Sequence, residues 1–346
     1  MADTAVLAPQ PISVGKRAGR ALHTFRRNLL FVFSAGILIV VTVTGIFAPW
    51  IAPHDPEAGV LRDQKLPPAW GGPVVLIKTV VQQPEVGLSY EQISLANALE
   101  LLPGAVIGDQ VEVQTRRGGS STYLLGTDHL GRDVLSRVIW GARISLILVA
   151  ITLGIGGGIG TVLGLVAGYY GGLVDELVMR VVDIFLALPL FLVALVLVIS
   201  LGQSFFIIVV VLILFIWVRF ARQVRGEVLL LKNMDYVALA KVAGASTPRI
   251  LAKHIFPGVI NTLIVVATLQ VSIVILVESG LSFLGAGVPP PTPAWGSMIS
   301  DGRDFLAESW WISTIPGLAI LLTVISLNLF GDWLRDKLDP RLRQLE

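Results

Sequence analysis

Apolar and polar stretches alternate along the chain in a pattern typical of repeated membrane crossing. Six apolar segments stand out: Leu29–Ile51, Ile144–Tyr170, Val181–Leu201, Phe205–Phe220, Val259–Val277 and Ile312–Phe330. Most approach the roughly 20 residues that a helix needs to cross a bilayer core, and the fourth is shorter. Only "GQS" separates the third from the fourth, which predicts a tight helical hairpin. The pattern therefore predicts an all-α polytopic membrane protein with six transmembrane helices.

Composition supports the same class of protein and excludes several kinds of functional site. Of 346 residues, 54% are hydrophobic and 14% are charged, too few charges to cover a soluble surface. The absence of cysteine excludes disulfides, thiolate metal sites and cysteine nucleophiles. The four histidines are scattered without the i,i+4 spacing of a helical metal site, so we predict no metal site. A net charge of +2 does not indicate a nucleic-acid partner.

Charge distribution predicts which side of the membrane each segment faces. The first apolar segment is longer than the core of a signal peptide, so we interpret it as an uncleaved anchor (29–52) behind a basic cytoplasmic tail (1–28). Six spans then return the C-terminal tail (332–346) to the cytoplasm. The stretch 219–257 is rich in Lys and Arg and is placed inside, whereas the more acidic segment 53–141 is placed outside. The prediction is a multi-pass protein of the cytoplasmic (inner) membrane, with a core of five further spans over 142–331.

The outer segment 53–141 has two parts. "PVVLIKTVV" and "QVEVQT" favour β-strands, so we expect a small extracytoplasmic insert that contains strands, the alternative being a disordered loop. After it, "LLGTDHLGRDVLSRVIWGARISL" predicts a helix capped by Thr127 or Asp128. From Arg132 onward its apolar residues share one face, which predicts an amphipathic helix lying on the outer membrane surface.

Glycines recur every fourth residue in the second span. This spacing forms a stripe without Cβ atoms, against which a neighbouring helix packs closely. A phosphate-binding loop is disfavoured because the run lies in a span, matches no phosphate-loop pattern and has no lysine after it. We therefore interpret the stripe as a packing surface made of Gly156, Gly160, Gly164 and Gly168.

Two carboxylates lie near the ends of spans. Asp183 is near the inner end of the third and Glu278 near the outer end of the fifth. Ionisable groups within a membrane are often functional, but near an interface their cost is small. We favour structural hydrogen bonding over substrate contact for both, and we predict no substrate-binding residue.

The stretch "DYVALAKVAGASTPRILAKHIFP", residues 235–257, looks soluble although it lies between two spans. It has the cap residues of two short helices: an N-cap, a left-handed C-cap, two further N-cap residues, a proline at the first helical position and a terminating proline. The first helix is thin and smooth, which suits a groove on another protein, although a solvated loop and a membrane-bound helix are alternatives. The cap and proline positions are Asp235, Gly244, Ser246, Thr247, Pro248 and Pro257, and Ala240 lies on the smooth first helix.

This stretch resembles the EAA loop of type I ATP-binding-cassette (ABC) importer permeases, E-A-A-x3-G-x9-I-x-L-P. Ala240, Gly244 and Pro257 match the pattern. The chain departs from it at the glutamate position and at three others, which carry Ala238, Leu239, His254 and Phe256. "LGTDHLGRDVLSRVIWGARISL", "VDIFLALP", "ESGLSFLGAGVPPPTPAWGSMI" and "NLFGDWLRDKLDPRLR" are similar to the peptide and nickel branch, in particular its second permease subunit. The resemblance does not cover the insert at about 66–122.

The resemblance implies a type I ABC-importer fold that forms half of a pathway for di- or oligopeptides. It implies a paralogous permease subunit, cytoplasmic ATP-binding subunits that dock on loop 235–257, and an extracytoplasmic solute-binding protein. ATP and Mg²⁺ would bind to the partner ATPases, with no cofactor or catalytic residue in this chain. Nickel is the alternative substrate, although the spans are nearly empty of metal ligands. A secondary transporter that works alone and a membrane scaffold without a passage are the alternatives from other classes.

Overall fold

The computed structural model describes residues 14–82 and 92–338. Residues 1–13 and 339–346 of the predicted tails lie outside the described residues, as does part of the insert, 83–91, whereas residues 14–28 and 332–338 of those tails are helical. The helices are α1 (Val14–Ile46), α2 (Ala48–Ile51), α3 (Leu95–Leu101), α4 (Val134–Thr152), α5 (Gly158–Tyr170), α6 (Gly172–Ala187), α7 (Leu190–Leu201), α8 (Phe205–Leu231), α9 (Asp235–Val242), α10 (Thr247–Ile250), α11 (Phe256–Phe283), α12 (Trp295–Arg303) and α13 (Trp311–Leu338).

Five long helices of the described chain are apolar enough to cross a membrane, and a sixth crossing is formed if the bent pair α6 and α7 is one span. The fold class predicted from the sequence, a mostly helical membrane protein, is confirmed. The straight third span Val181–Leu201 is wrong, because α6 and α7 meet at an angle of 82°. Pro189 has no backbone N–H to donate, and a proline disfavours helical geometry in the residue before it. Accordingly, Leu188 is extended, and α7 starts after Pro189. The tight turn before α8 is present, and Ser204 Oγ caps α8 by accepting from the Phe206 amide.

The separate surface helix predicted before the second span is also wrong. Asp133 rather than Thr127 or Asp128 caps α4, accepting a hydrogen bond from the Ser136 amide. The helix then continues through a π-helical turn at Leu153–Gly157 into α5, so that one apolar helix of 37 residues runs from Val134 to Tyr170. Its first turns are buried in the protein.

The outer insert forms a small sheet, as its β-rich stretches predicted. Strand β1 (Val74–Val81) lies between β2 (Gln92–Ser94), which is parallel to it, and β3 (Gln110–Arg116), which is antiparallel. Helix α3, capped by Ser94, packs on one face. The core of this unit is small and apolar and is made of Val80, Ile93, Ala98, Ala105 and Val111.

The glycine stripe lies against α8. A Cβ at Gly156 would lie 2.8 Å from Ile216 Cγ2, one at Gly164 2.6 Å from the Ala221 carbonyl oxygen, and one at Gly168 2.8 Å from Val228 Cβ. At Gly160 it would overlap the Trp217 carbonyl oxygen. The two helices therefore approach closely along a little more than three turns, which fixes the second and fourth spans as one unit.

A buried ion cluster joins the outer ends of several helices. Arg132 donates to Asp128 at 2.6 Å and to Asp301 of α12 at 3.4 Å, and Arg137 donates to the Pro56 carbonyl at 3.1 Å. Both arginines and Asp128 have almost no exposed side-chain surface. Because each arginine has a carboxylate or carbonyl partner, the cluster ties the exit of the first span to α4 and α12.

A second set of contacts closes the same outer surface. Trp311 Nε1 donates to the Thr127 carbonyl at 3.0 Å, and Trp295 Nε1 donates to the Val138 carbonyl at 2.9 Å. Burial raises the pKa of Tyr123, and the carboxylates of Asp63 and Asp133 raise it further, so its hydroxyl stays a donor to Asp63.

Candidate functional site

The candidate site is the segment from α9 to the start of α11, which lies at the opposite end of the bundle from the insert. Helix α9 ends in a Schellman turn: the Gly244 amide donates to the Lys241 carbonyl and the Ala245 amide to the Ala240 carbonyl, both at 3.0 Å. Gly244 has φ +77°, a left-handed conformation that a residue with a Cβ adopts at a cost. The glycine therefore fixes the angle between α9 and α10.

Three details of the predicted capping are wrong. Asp235 is the first residue of α9, Met234 occupies the N-cap, and the Asp235 carboxylate lies in the first turn, where the helix dipole still favours it. Ser246 is the N-cap of α10, as predicted, although its side chain makes no capping hydrogen bond; Thr247 is the first helical residue and not a cap. Pro248 consequently takes the second helical position.

The prediction that the second helix ends at Pro257 is also wrong. A π-helical turn at Leu251–Ile255 connects α10 to α11, and Pro257 lies in the first turn of α11. The wider turn changes the hydrogen-bond register, so the missing proline amide is tolerated. The helical path from Thr247 therefore continues without a gap into the fifth span, as far as Phe283.

One side of the segment is anchored in the bundle. Val237, Ile250 and Ile255 are buried in a cluster with Val224 and Val228 of α8. Two lysines add contacts to the neighbouring helix: Lys232 Nζ donates to the Gly168 carbonyl at 2.8 Å, and Lys241 Nζ lies 5.3 Å from the Tyr169 ring centre. The segment is therefore held against α5, α8 and α11 by packing.

The other side of α9 is apolar and uncovered. Val242 is 88% exposed and Leu239 is 68% exposed, three residues apart on one face of the helix, and Met234 and Tyr236 extend this surface. Contiguous exposed apolar side chains on a rigid element mark a protein-binding surface. We call Met234, Tyr236, Leu239 and Val242 the coupling face.

The segment has no grouping suited to catalysis. Its titratable side chains do not form a buried pair; they are Asp235, Tyr236, Lys241, Arg249, Lys253 and His254. Within the described residues, no cluster of three or more His, Asp or Glu is arranged to hold a metal ion. The arrangement can bind another protein and transmit movement.

Comparison with known families agrees with this geometry. Residues 160–344, more than half of the chain, match the family described as binding-protein-dependent transport system inner membrane component. The chain belongs to this family. Residues 17–68 match the N-terminal transmembrane domain of oligopeptide transport permease C. The protein is therefore a multi-pass inner-membrane permease component of an ABC importer, and the type I fold inferred from the resemblance is confirmed.

Individual relatives cover nearly all of the permease. It is 42% identical over 323 residues to the dipeptide transport system permease protein DppC of Escherichia coli (strain K12), covering 93% of this chain and 92% of the relative. It is 37% identical over 306 residues to the di/tripeptide transport system permease protein DppC of Pseudomonas aeruginosa (strain UCBPP-PA14), which covers 88% of this chain and 86% of the relative. The dipeptide transport system permease protein DppC of Haemophilus influenzae is 37% identical over 320 residues, which covers 92% of this chain and 93% of the relative.

Two features of the permease were not found by sequence reasoning. The coupling face depends on which side of α9 the bundle covers, and hydropathy alone does not distinguish exposed Leu239 from buried Val237. Asp183 forms an ion pair with Arg222 across 2.5 Å, on the exposed surface between α6 and α8. Glu278 is buried and accepts from Ser282 Oγ at 2.6 Å, a structural hydrogen bond of the kind predicted.

Proposed function

We propose that this permease forms half of the membrane pathway for di- and oligopeptides in an ABC importer. The proposed substrate rests on the 42% identity of this permease to a dipeptide permease over 93% of the chain. Relatives named for di- and tripeptides also cover most of its length, which favours peptides over nickel. The lack of a metal-ligating cluster among the described residues agrees with that preference.

The coupling face supplies the mechanical part of the proposal. ATP hydrolysis takes place on cytoplasmic partner subunits, which bind ATP and Mg²⁺, and their closure presses on Leu239 and Val242. Because α9 is anchored by Val237 and Ile250, the push passes to α8 and α11 as a rigid-body movement. This chain performs no chemical catalysis in the cycle.

The rest of the assembly follows from the same arrangement. A paralogous permease subunit forms the other wall of the pathway, and an extracytoplasmic solute-binding protein delivers the peptide at the outer surface. Both chain termini and segment 235–257 face the cytoplasm. Rocking of the two permeases against each other exposes the pathway to alternate sides of the membrane.

Uptake by cells that lack the gene tests the substrate. Labelled dipeptide and labelled nickel are supplied separately, with a strain carrying the restored gene as the control. We expect dipeptide uptake to fall to background and to return with the gene, while nickel uptake is unchanged. Unchanged dipeptide uptake in the deletion strain would refute a peptide substrate.

A further inference from the structure

The cytoplasmic half of α8 has one open side. In its first half the helix is enclosed by the bundle, with Ile208, Val209, Val211 and Leu212 all buried. From Arg219 onward the residues at positions 219, 222 and 226 are exposed and lie on one side of the helix. A Cβ on Gly226 would meet no atom within 4 Å, so the surface at this position is not covered by the chain itself.

The charges on this open side lie within a candidate membrane span. Arg219 and Arg222 are in the second half of the helix Phe205–Leu231, which is long and apolar enough to cross a membrane. The side chains of Arg222 and Asp183 pair at 2.5 Å, yet they are 55% and 62% exposed. An exposed ion pair within a span is unfavourable against lipid tails and requires water or another protein beside it.

Helix α6 frames the open side. Asp175 accepts from Arg225 and Asp183 accepts from Arg222. Further along α6, the Phe185 ring lies 5.7 Å from the Trp217 ring, so α6 runs beside this part of α8. Arg219 is exposed next to the Arg222–Asp183 pair.

Arg219 differs from the two arginines that follow it. Arg222 and Arg225 are each neutralised by an aspartate, whereas Arg219 forms no ion pair with any residue that the structure describes. A guanidinium group presents a planar fork of donors that matches a carboxylate. Within a span, an unneutralised arginine beside water is a binding position for an anion.

We propose that the open side of α8 lines the aqueous pathway in its cytoplasmic half and that Arg219 binds the C-terminal carboxylate of the passing peptide. The inference rests on the proposed function, since it names a substrate contact for peptide transport. The Arg222–Asp183 pair keeps this wall polar and holds α6 beside it. Arg219 thereby favours peptides with a free carboxylate during passage.

The absence of cysteine allows a direct test, because Arg219→Cys introduces a thiol unique in this chain. The assembled complex in membranes is treated with a charged, membrane-impermeant methanethiosulfonate that carries a trimethylammonium group, from the cytoplasmic side. The complex with the unsubstituted chain corrects for partner thiols. Arg180→Cys is the matched control, since Arg180 is an exposed arginine on α6 paired with Glu176.

We expect the thiol at position 219 to react with the reagent. A free dipeptide should slow this reaction severalfold, whereas the same dipeptide with a C-terminal amide should leave its rate unchanged. Neither peptide should alter the reaction at position 180. A thiol at 219 that does not react would place this side of α8 against lipid or a partner and overturn the inference. Reaction without protection, or equal protection by both peptides, would overturn the carboxylate contact.

Transport measurements separate this inference from the proposed function. Arg219→Gln should raise the KM for dipeptide uptake about tenfold, the loss expected for one hydrogen bond to a charged group, while Arg219→Lys keeps most of the affinity. Attaching the trimethylammonium group to the cysteine variant should restore uptake in part. If the unsubstituted complex transports no peptide, the proposed function fails; if it does and Arg219→Gln is normal, only the Arg219 contact fails.

Discussion

Gly160 of α5 lies so close to α8 that a methyl group on its Cα would overlap the carbonyl oxygen of Trp217. Because that oxygen belongs to the backbone of a packed helix, it has no room to move aside. Gly160→Ala should destabilise the permease by about 1–3 kcal/mol through overpacking. The midpoint of thermal unfolding of the purified chain measures the effect.

Gly158 provides the control on the same helix. A Cβ there meets nothing within 4 Å, and alanine has the higher helix propensity, so Gly158→Ala should be neutral or slightly stabilising. Equal midpoints for Gly160→Ala and Gly158→Ala would show that the stripe does not hold the two spans together.

Gly244 fixes the turn between α9 and α10 through its left-handed conformation. Gly244→Val should strain the turn by about 1–2 kcal/mol, shift α9, and abolish both peptide uptake and recovery of the ATPase with the tagged chain. Gly244→Asn should keep most of both, because asparagine tolerates this conformation. Normal uptake by the valine variant would contradict the proposed coupling.

Val242 is the most exposed apolar residue of the coupling face. A buried, unpaired charge at a protein interface costs several kcal/mol, so Val242→Glu should release the ATPase subunits and stop transport while the permease still inserts. Co-purification of the ATPase on the tagged permease measures this. Leu306→Glu, an exposed apolar position on the outer surface, should retain the ATPase; loss in both variants would point to a folding defect.

Asp128 holds two buried arginines at the outer surface. Asp128→Asn should destabilise the protein by about 3–5 kcal/mol, because Arg132 and Arg137 lose their shared buried carboxylate. Asp304→Asn removes an exposed partner of Arg303 and should change stability by less than about 0.5 kcal/mol. Chemical denaturation of the purified permease in detergent distinguishes the two.

Hydropathy and spacing predicted the features that depend on local pattern. The glycine period of four and the β-rich stretches "PVVLIKTVV" and "QVEVQT" report directly on which face of an element is small or apolar. The bend at Leu188–Pro189 was missed because the segment is apolar on both sides of the proline, so its length alone suggested one span. The helix starts near Asp235 and Pro248 differ by one residue from those predicted, because helix boundaries are defined only to within one or two residues.

The functional surfaces depended on long-range contacts that a single sequence does not display. Leu239 and Val237 have similar hydropathy, and only the packing of α8 decides which one is exposed. Asp183 and Arg222 are 39 residues apart, so their pairing requires the packing of α6 beside α8. Arg219 stands out only after its neighbours are seen to be neutralised.

The unbroken helical path from Thr247 to Phe283 gives the permease a lever arm. Its 37 residues extend over about 55 Å. A tilt of about 5° imposed at the ATPase end would displace the far end by roughly 5 Å, close to the width of an extended peptide backbone. A small rotation of the ATPase subunits is therefore geometrically sufficient to open or close the far end of the pathway.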